Sequence, residues 1–319
     1  MAKLTVFVTD YTLADEMDLE AHLLAEAGIE LVRAQCTTEA EVLAALVECD
    51  GIITQWAPVT RAVLERAGRC RAVSRNGIGV DNIDLAAARD LGVAVLNVPA
   101  YCVPEVADHA LALVLALLRK LKPTLRMIDR GEWGVGPLIP IRRLDTLTLG
   151  IIGLGRIGTA VAKRAGPFFR QIVACDPFIM RECFDSVCAV PACHDEVWQE
   201  ADVITLHVPA QEDTVHLIDA AALARMKDGV YLVNTCRGAV VDTEALVAAL
   251  RSGKVAGAAL DVHEQEPLPP DHPLRTMENV ILTPHVAYYS EESTLEARRQ
   301  TCENLVRFFR GEEPISRLV

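Results

Sequence analysis

Short apolar runs alternate with stretches of helical period along the first hundred residues. Leu4 to Val8, Ile29 to Ala34, Gly51 to Thr54, Ala72 to Ser74 and Ala94 to Asn97 read as strands. Ala14 to Ala27, Glu39 to Val47, Val63 to Ala67 and Leu85 to Asp90 read as the helices between them. Alternation of this kind builds a parallel sheet with helices on both faces. Pro99 and Pro104 then lead into a long helix, Val106 to Leu121, whose pattern is apolar nearly all round, as expected of a helix buried between two domains. Thr124 to Thr146 is loop-rich, with Gly131, Trp133, Gly134 and Gly136, and irregular segments of this length usually carry function or meet a partner. Beyond it the alternation resumes, with strands at Val203 to Val208, Tyr231 to Asn234, Ala256 to Leu260 and Val280 to Leu282 and a final helix, Glu292 to Arg310. The class predicted is α/β with doubly wound parallel sheets.

The most specific local pattern is Thr148 to Asp176, TLGIIGLGRIGTAVAKRAGPFFRQIVACD. An apolar strand runs into Gly153, Gly155 and Gly158, a helix follows, and a second strand, Ile172 to Cys175, ends on an acid. The first glycine permits the tight turn, the second lets a pyrophosphate approach bare backbone, and the third lets the helix pack closely on the strand. Asp176 is placed to accept hydrogen bonds from the adenosine ribose. A carboxylate there repels a 2′-phosphate, and no Arg immediately follows it, so the unit is expected to prefer NAD over NADP.

Composition narrows the picture. At 319 residues, 51% apolar and 24% charged, the chain suggests about two domains of an ordinary globular protein. A net charge of −13 and the lack of a lysine-rich run argue against a nucleic-acid surface. The N-terminus lacks the pattern of a signal peptide, and the longest apolar stretch, Ala110 to Leu118, is too short to span a bilayer, so a cytoplasmic location without membrane contact is expected. None of the ten cysteines forms a CxxC pair, which favours reduced core thiols. Cys183, Cys188, Cys193 and His194 cluster locally, but their spacing is wide for a structural zinc site, and no metal is expected. His22, His109, His216 and His272 stand outside any motif and need no function.

Ligands of open parallel sheets lie beyond the carboxyl ends of the strands. There stand Arg75 beside Asn76, Gly77 and Gly79 in SRNGIGVDNID, Arg237 in VNTCRG, Asp261 and Glu266 in ALDVHEQEP, and His285 in TPHVAYY. A guanidinium, a carboxylate and an imidazole facing a nicotinamide suit reversible hydride transfer between a hydroxyl and a carbonyl. Arg237 can polarise the ketone of a 2-oxo acid and His285 can protonate the alkoxide. Glu266 can pair with the imidazole and fix its tautomer. The substrate carboxylate would rest on Arg75 and the amides from Gly77 to Gly79.

Nearly the whole chain resembles the D-isomer-specific 2-hydroxyacid dehydrogenase family. The segments SRNGIGVDNID, GIIGLGRIG, ADVITLHVP, LVNTCRGAVVD, GAALDVHEQEP and TPHVAYYSEES follow the family's order and spacing. The resemblance implies two Rossmann-like domains with an active-site cleft between them: a discontinuous substrate domain, 1–98 with 287–319, and an NAD-binding domain, 99–286. It implies a homodimer joined through the NAD domains, with an arm near 124–146. It makes Arg237, Glu266 and His285 the catalytic trio. Arg156, Ile157, Asp176, His207, Val208, Pro209, Thr214, Thr235, Cys236, Asp261 and Ala287 would contact NAD, as would Ile78 and Val106 at the nicotinamide end.

Within the family the chain looks most like the C-terminal binding protein and phosphoglycerate dehydrogenase-like branch, through NVPAYCVPEVADHALAL and TPHVAYYSEES. C-terminal binding proteins typically carry Trp where Tyr288 stands, which opens the question of substrate. Gln55, Trp56, Tyr101 and Tyr288 are candidates for the specificity wall. Because the sequence stops at Val319, the regulatory domains of the longer phosphoglycerate dehydrogenases are expected to be missing. Two alternatives share these residues. One is an NADH-sensing, corepressor-like scaffold. The other is a reductase of a phosphorylated or phosphonate-bearing oxo acid, for which Arg298 on the last helix is the candidate extra cation.

Overall fold

The computed structural model describes residues 4–11 and 18–319, so the first four residues of the expected helix Ala14 to Ala27 lie outside the described residues, and its described part is Asp18–Glu26. Two compact units emerge: Met1–Tyr101 with Ser290–Val319, and Cys102–Tyr289. The boundaries fall at 101/102 and 289/290, against 98/99 and 286/287 in the sequence reading.

The first unit holds five strands: β1 (Leu4–Val8), β2 (Ile29–Arg33), β3 (Gly51–Thr54), β4 (Ala72–Arg75) and β5 (Ala94–Leu96). They pair in the order β2-β1-β3-β4-β5, every pair parallel. Successive side chains of a strand point to opposite faces. Accordingly Phe7, Ile52, Val73 and Val95 enter one core, while Val6, Val8, Ile53 and Leu96 enter the other. The helix Glu291–Arg310 closes the second face with Cys302 and Leu305. It starts at Ser290, whose hydroxyl accepts from the Ser293 amide, and ends at Gly311 in the left-handed region. Arg298 of this helix grips Glu20 through two nitrogens at 2.6 and 2.8 Å, with both side chains nearly buried.

The second unit holds β6 (Thr148–Ile152), β7 (Gln171–Cys175), β8 (Ala189–Pro191), β9 (Val203–Leu206), β10 (Val230–Asn234), β11 (Val255–Leu260) and β12 (Val280–Leu282). Their order is β12-β11-β10-β9-β6-β7-β8, again all parallel, so every strand end that carries a loop of interest lies on one edge of the sheet. The fold is thus α/β with two doubly wound parallel sheets. β8, which sequence reading missed, is a three-residue edge strand, and its Pro191 is tolerated because an edge has an unpaired side.

Two helices depart from expectation. The long helix spans Val103–Leu118, because Pro104 falls in its first turn, where a missing N–H costs nothing. It is not buried all round. It buries one stripe, including Ala107, Ala110, Val114 and Leu117, in the second unit's own core. The segment expected to be loop-rich begins as a helix, Leu121–Asp129, with Pro123 again in the first turn, and only then becomes irregular. No described helix is long and apolar enough to cross a membrane.

Removing one partner of a buried ion pair strands the other. Glu20→Ala is expected to lower the first unit's unfolding free energy by about 3 kcal/mol, read as a reduced urea midpoint. An unchanged midpoint would mean that Arg298 is satisfied without Glu20.

Candidate active site

The glycine turn is built as its spacing predicts. Gly153 has φ +86, and a Cβ there would meet the His207 carbonyl at 2.6 Å. A Cβ on Gly158 would lie 2.0 Å from the Gly153 carbonyl oxygen, so only glycine lets the helix Arg156–Ala165 press on the turn. Gly155 differs. Its φ is −67 and nothing stands within 4 Å of its Cβ position, so neither conformation nor internal packing demands glycine. The open position stands at a helix N-terminus that lacks a side-chain cap, where backbone amides can meet an anion.

Asp176, after β7, accepts from the Leu154 amide at 2.9 Å and from the Phe178 amide at 3.0 Å, which ties it to the glycine turn. Beside it opens a groove of 620 Å³ lined by Pro177, Ile179, Arg181, Cys193 and His194. After β9, His207 bonds Thr205 through Nε2 at 3.0 Å, and burial pushes its pKa down to about 3, so the ring is neutral. Its Nδ1 is buried without a partner, as is the Thr235 hydroxyl after β10. Orphaned polar atoms beside an open glycine cradle fit the hydroxyls and phosphates of a dinucleotide. Arg156 is exposed at the helix start and Ile157 packs on the core behind it. The Thr214 hydroxyl is committed to its own turn, with Pro209 O and Gln211 O, and Val208 packs on the neighbouring core.

Arg237 follows β10, and the loop that delivers it is clamped by Asn234. The Asn234 side-chain amide donates to the Arg237 carbonyl at 2.8 Å, and its oxygen accepts from the Cys236 amide and thiol, each at 3.0 Å. Burial pushes the Cys236 thiol up to about 11, so it is no nucleophile. A Cβ on Gly238 would sit 2.0 Å from the His263 carbonyl carbon. That contact brings the Arg237 loop against the loop carrying Glu266.

His285 Nδ1 lies 2.8 Å from Glu266 Oε2, and Glu266 Oε1 accepts from the His263 amide at 2.9 Å. Burial opposes ionisation of Glu266, but the His285 hydrogen bond and charge, with the His263 amide, outweigh it and hold the carboxyl below its usual range. An ionised carboxylate only accepts, so Nδ1 carries hydrogen and Nε2 is the nitrogen that exchanges a proton. Tyr288 meets the His285 ring edge-on, centroids 6.3 Å apart.

His285 itself has φ +55, unusual for a residue with a side chain. Asp261 holds it there. Its carbonyl accepts from the His285 amide at 2.8 Å. Its carboxylate accepts from Thr283 at 2.6 Å, Val286 at 3.0 Å and Ala287 at 2.9 Å. Fully buried, Asp261 is a brace for the loop that carries His285, a role its sequence position did not suggest. Val106 lies 6% exposed on the long helix of the same unit.

The first unit gathers Gln55, Trp56, Arg75, Asn76, Gly77, Ile78 and Gly79 at its own strand ends. The Arg75 guanidinium lies 5.5 Å above the Trp56 ring and donates to the Asn76 carbonyl at 3.0 Å. Gly77, at φ +147, has a backbone conformation that disfavours a side chain, and the Arg75 guanidinium lies where its Cβ would be. Asp10, which sequence reading missed, accepts from the Gln55 and Trp56 amides at 3.0 and 2.7 Å and fixes their turn. The Asn76 side chain bonds Thr301, the Ile78 carbonyl accepts from Asn97, and Tyr101 ends the unit's first segment. Among the described residues no group of three or more His, Cys, Asp or Glu is arranged for a metal.

Residues 111–287 match the family model described as D-isomer specific 2-hydroxyacid dehydrogenase, NAD binding domain. A glyoxylate reductase of Korarchaeum cryptofilum is 41% identical over 272 residues, covering 84% of this chain and 82% of that one. A D-3-phosphoglycerate dehydrogenase of Methanocaldococcus jannaschii is 39% identical over 310 residues, which is 96% of this chain but only 58% of the relative. Among solved structures, D-lactate dehydrogenase from Aquifex aeolicus, complexed with NAD and lactic acid, superposes with a TM-score of 0.87 at 30% identity, covering 97% of this chain and 96% of that one.

If the Asp176 carboxylate reads the ribose as well as bracing Leu154, Asp176→Ala will weaken NADH binding and narrow the preference for NADH over NADPH roughly tenfold, measured by fluorescence titration of both. An unchanged ratio would leave the acid a purely structural part of the turn.

Proposed function

Because the chain belongs to the D-isomer-specific 2-hydroxyacid dehydrogenases, whose NAD-binding domain matches more than half of it, we propose that it interconverts a D-2-hydroxy acid and its 2-oxo acid with Arg237, Glu266 and His285 as the catalytic trio. The observation that carries this reading is the His285–Glu266 couple at 2.8 Å, with the Arg237 loop packed against the same segment through Gly238. Gly153, Gly155, Gly158 and Asp176 would hold NAD, joined by His207 Nδ1 and Thr235 Oγ1. When bound, NADH supplies the hydride.

In the direction of reduction, Arg237 draws electron density onto the carbonyl oxygen of the 2-oxo acid. His285, protonated on both nitrogens, gives the Nε2 proton to that oxygen and returns to the neutral ring. Glu266 accepts the Nδ1 hydrogen and holds the ring's tautomer and plane throughout. In the first unit Arg75, with the amides around Gly77 to Gly79, is the proposed holder of the substrate carboxylate, with Gln55, Trp56 and Tyr101 as that unit's specificity candidates; in the second unit Tyr288, against His285, is the candidate. Arg298, the cation the sequence reading offered for a phosphorylated substrate, is held by two bonds to Glu20, which speaks against that alternative. The likeness to a glyoxylate reductase over 82% of its length supports a small 2-oxo acid.

The arm is proposed as the homodimer contact. Leu125 is 64% exposed and Trp133 92% exposed, with Ile128, Val135 and Ile139 exposed beside them, an apolar density that one chain leaves unused. Trp133→Asp with Leu125→Asp is expected to yield monomers in sedimentation velocity. A dimer that survives both changes would place the interface elsewhere.

His285→Ala is expected to lower turnover by about 10²- to 10⁴-fold while NADH still binds, and Arg237→Ala to lower turnover and raise the substrate KM together. Near-normal rates in either variant would refute the assignment. Glu266→Gln removes the anion that fixes the imidazole's tautomer and plane and should lower kcat while NADH still binds; an unchanged kcat would show that Glu266 does not orient His285.

A further inference from the structure

We infer that His109 is a positioning residue for the acid–base centre, acting through Thr283 and Asp261 on the loop that holds His285. This rests on the reading of His285 as acid and base. His109 stands on the helix Val103–Leu118, far in sequence from that loop, with its side chain about one quarter exposed. Its Nε2 lies 3.2 Å from the Thr283 hydroxyl oxygen, and that oxygen lies 2.6 Å from Asp261 Oδ1.

The chemistry of the three groups fixes the direction of the chain. The carboxylate only accepts, so the Thr283 hydroxyl gives its single proton to Asp261. Toward His109 the hydroxyl then offers only lone pairs, so His109 carries hydrogen on Nε2 and donates. Without this donor, the hydroxyl of Thr283 loses the contact that holds it turned toward Asp261. Nε2 also lies 3.7 Å from Asp261 Oδ1, close enough to bias that carboxylate electrostatically.

What hangs on Asp261 is the geometry of His285. The Val286 and Ala287 amides end on its carboxylate and the His285 amide ends on its carbonyl. A residue with a side chain at φ +55 is strained, and these bonds keep it there. Thr283 is two residues before His285. A slackened bond at Thr283 allows the loop to relax toward negative φ, which draws Nδ1 away from Glu266. His109 thus acts on the reaction without touching substrate.

The test compares His109→Leu, His109→Gln, Thr283→Val and the double variant His109→Leu with Thr283→Val. Leu removes the donor and keeps the bulk, while the Gln amide can donate from nearly the place of Nε2. Expected are a loss of kcat of roughly three- to tenfold in His109→Leu with KM for the 2-oxo acid little changed, and recovery of most of it in His109→Gln. The double variant should lose no more than the worse single one, because both break one chain. Unchanged kcat in His109→Leu, equal loss in the Leu and Gln variants, or multiplied losses in the double variant would each overturn the inference. An independent readout is the low-field proton resonance of the His285 Nδ1–H to Glu266 bond, recorded without substrate. It should broaden or shift in His109→Leu and persist in His109→Gln, and identical spectra would also overturn the inference. If the unaltered protein turned over no 2-oxo acid, the enzymatic reading would fail by itself, and the resonance would still decide whether His109 positions the loop.

Discussion

The buried carboxylate of Asp261 is the constraint on which the site depends. A charged group without solvent is costly unless its lone pairs are filled, and here residues 283, 286 and 287 fill them. The same bonds that stabilise the anion hold the segment after β12 in a shape its own preferences oppose. His285 is kept at a positive φ, from which its Nδ1 meets Glu266. Strain placed at one residue is thus balanced by hydrogen bonding at a neighbour on the adjacent strand, β11.

Parallel strands make this economical. Six of the seven strand ends of the second unit carry a candidate site group: the glycine turn after β6, the acid after β7, His207 after β9, Arg237 after β10, the Asp261–Glu266 segment after β11 and His285 after β12. Glycine decides how closely these loops approach. At Gly158 the helix meets the turn, and at Gly238 the Arg237 loop meets the His263–Glu264 backbone, each through distances that a Cβ forbids. At Gly155, in the same turn, no protein atom lies within 4 Å of the Cβ position. Charge is arranged by the same means. Glu266 is ionised because a backbone amide and the imidazole face it, and His207 is neutral because burial gives its charge no counterpart.

Much of this was legible in the sequence. Apolar runs of three to six residues at intervals are what buried parallel strands require, so nearly every strand could be placed, and strand ends then nominated Arg75, Asp176, Arg237, Glu266 and His285. Proline misled at the long helix: Pro104 lies in its first turn, and local pattern does not separate a proline that starts a helix from one that precedes it. The braces were illegible for a different reason. Asp10 under the Gln55–Trp56 turn, Asn234 behind Arg237, Glu20 on Arg298 and His109 on Thr283 are polar residues whose meaning lies in a partner brought near by folding. His109 and Thr283 are 174 positions apart, and no periodicity encodes such a pair. Asp261 stood at a strand end, where a ligand contact was the natural reading, and only its four bonds show a brace.

The most direct test of the account is NADH oxidation followed at 340 nm with a panel of 2-oxo acids, from glyoxylate and hydroxypyruvate to branched, aromatic and phosphorylated ones, with the configuration of each chiral product determined by chiral chromatography. The account predicts turnover of at least one unphosphorylated 2-oxo acid and a product of D configuration wherever C2 is chiral. NADH binding without consumption of any acid, or a product of L configuration, would contradict it.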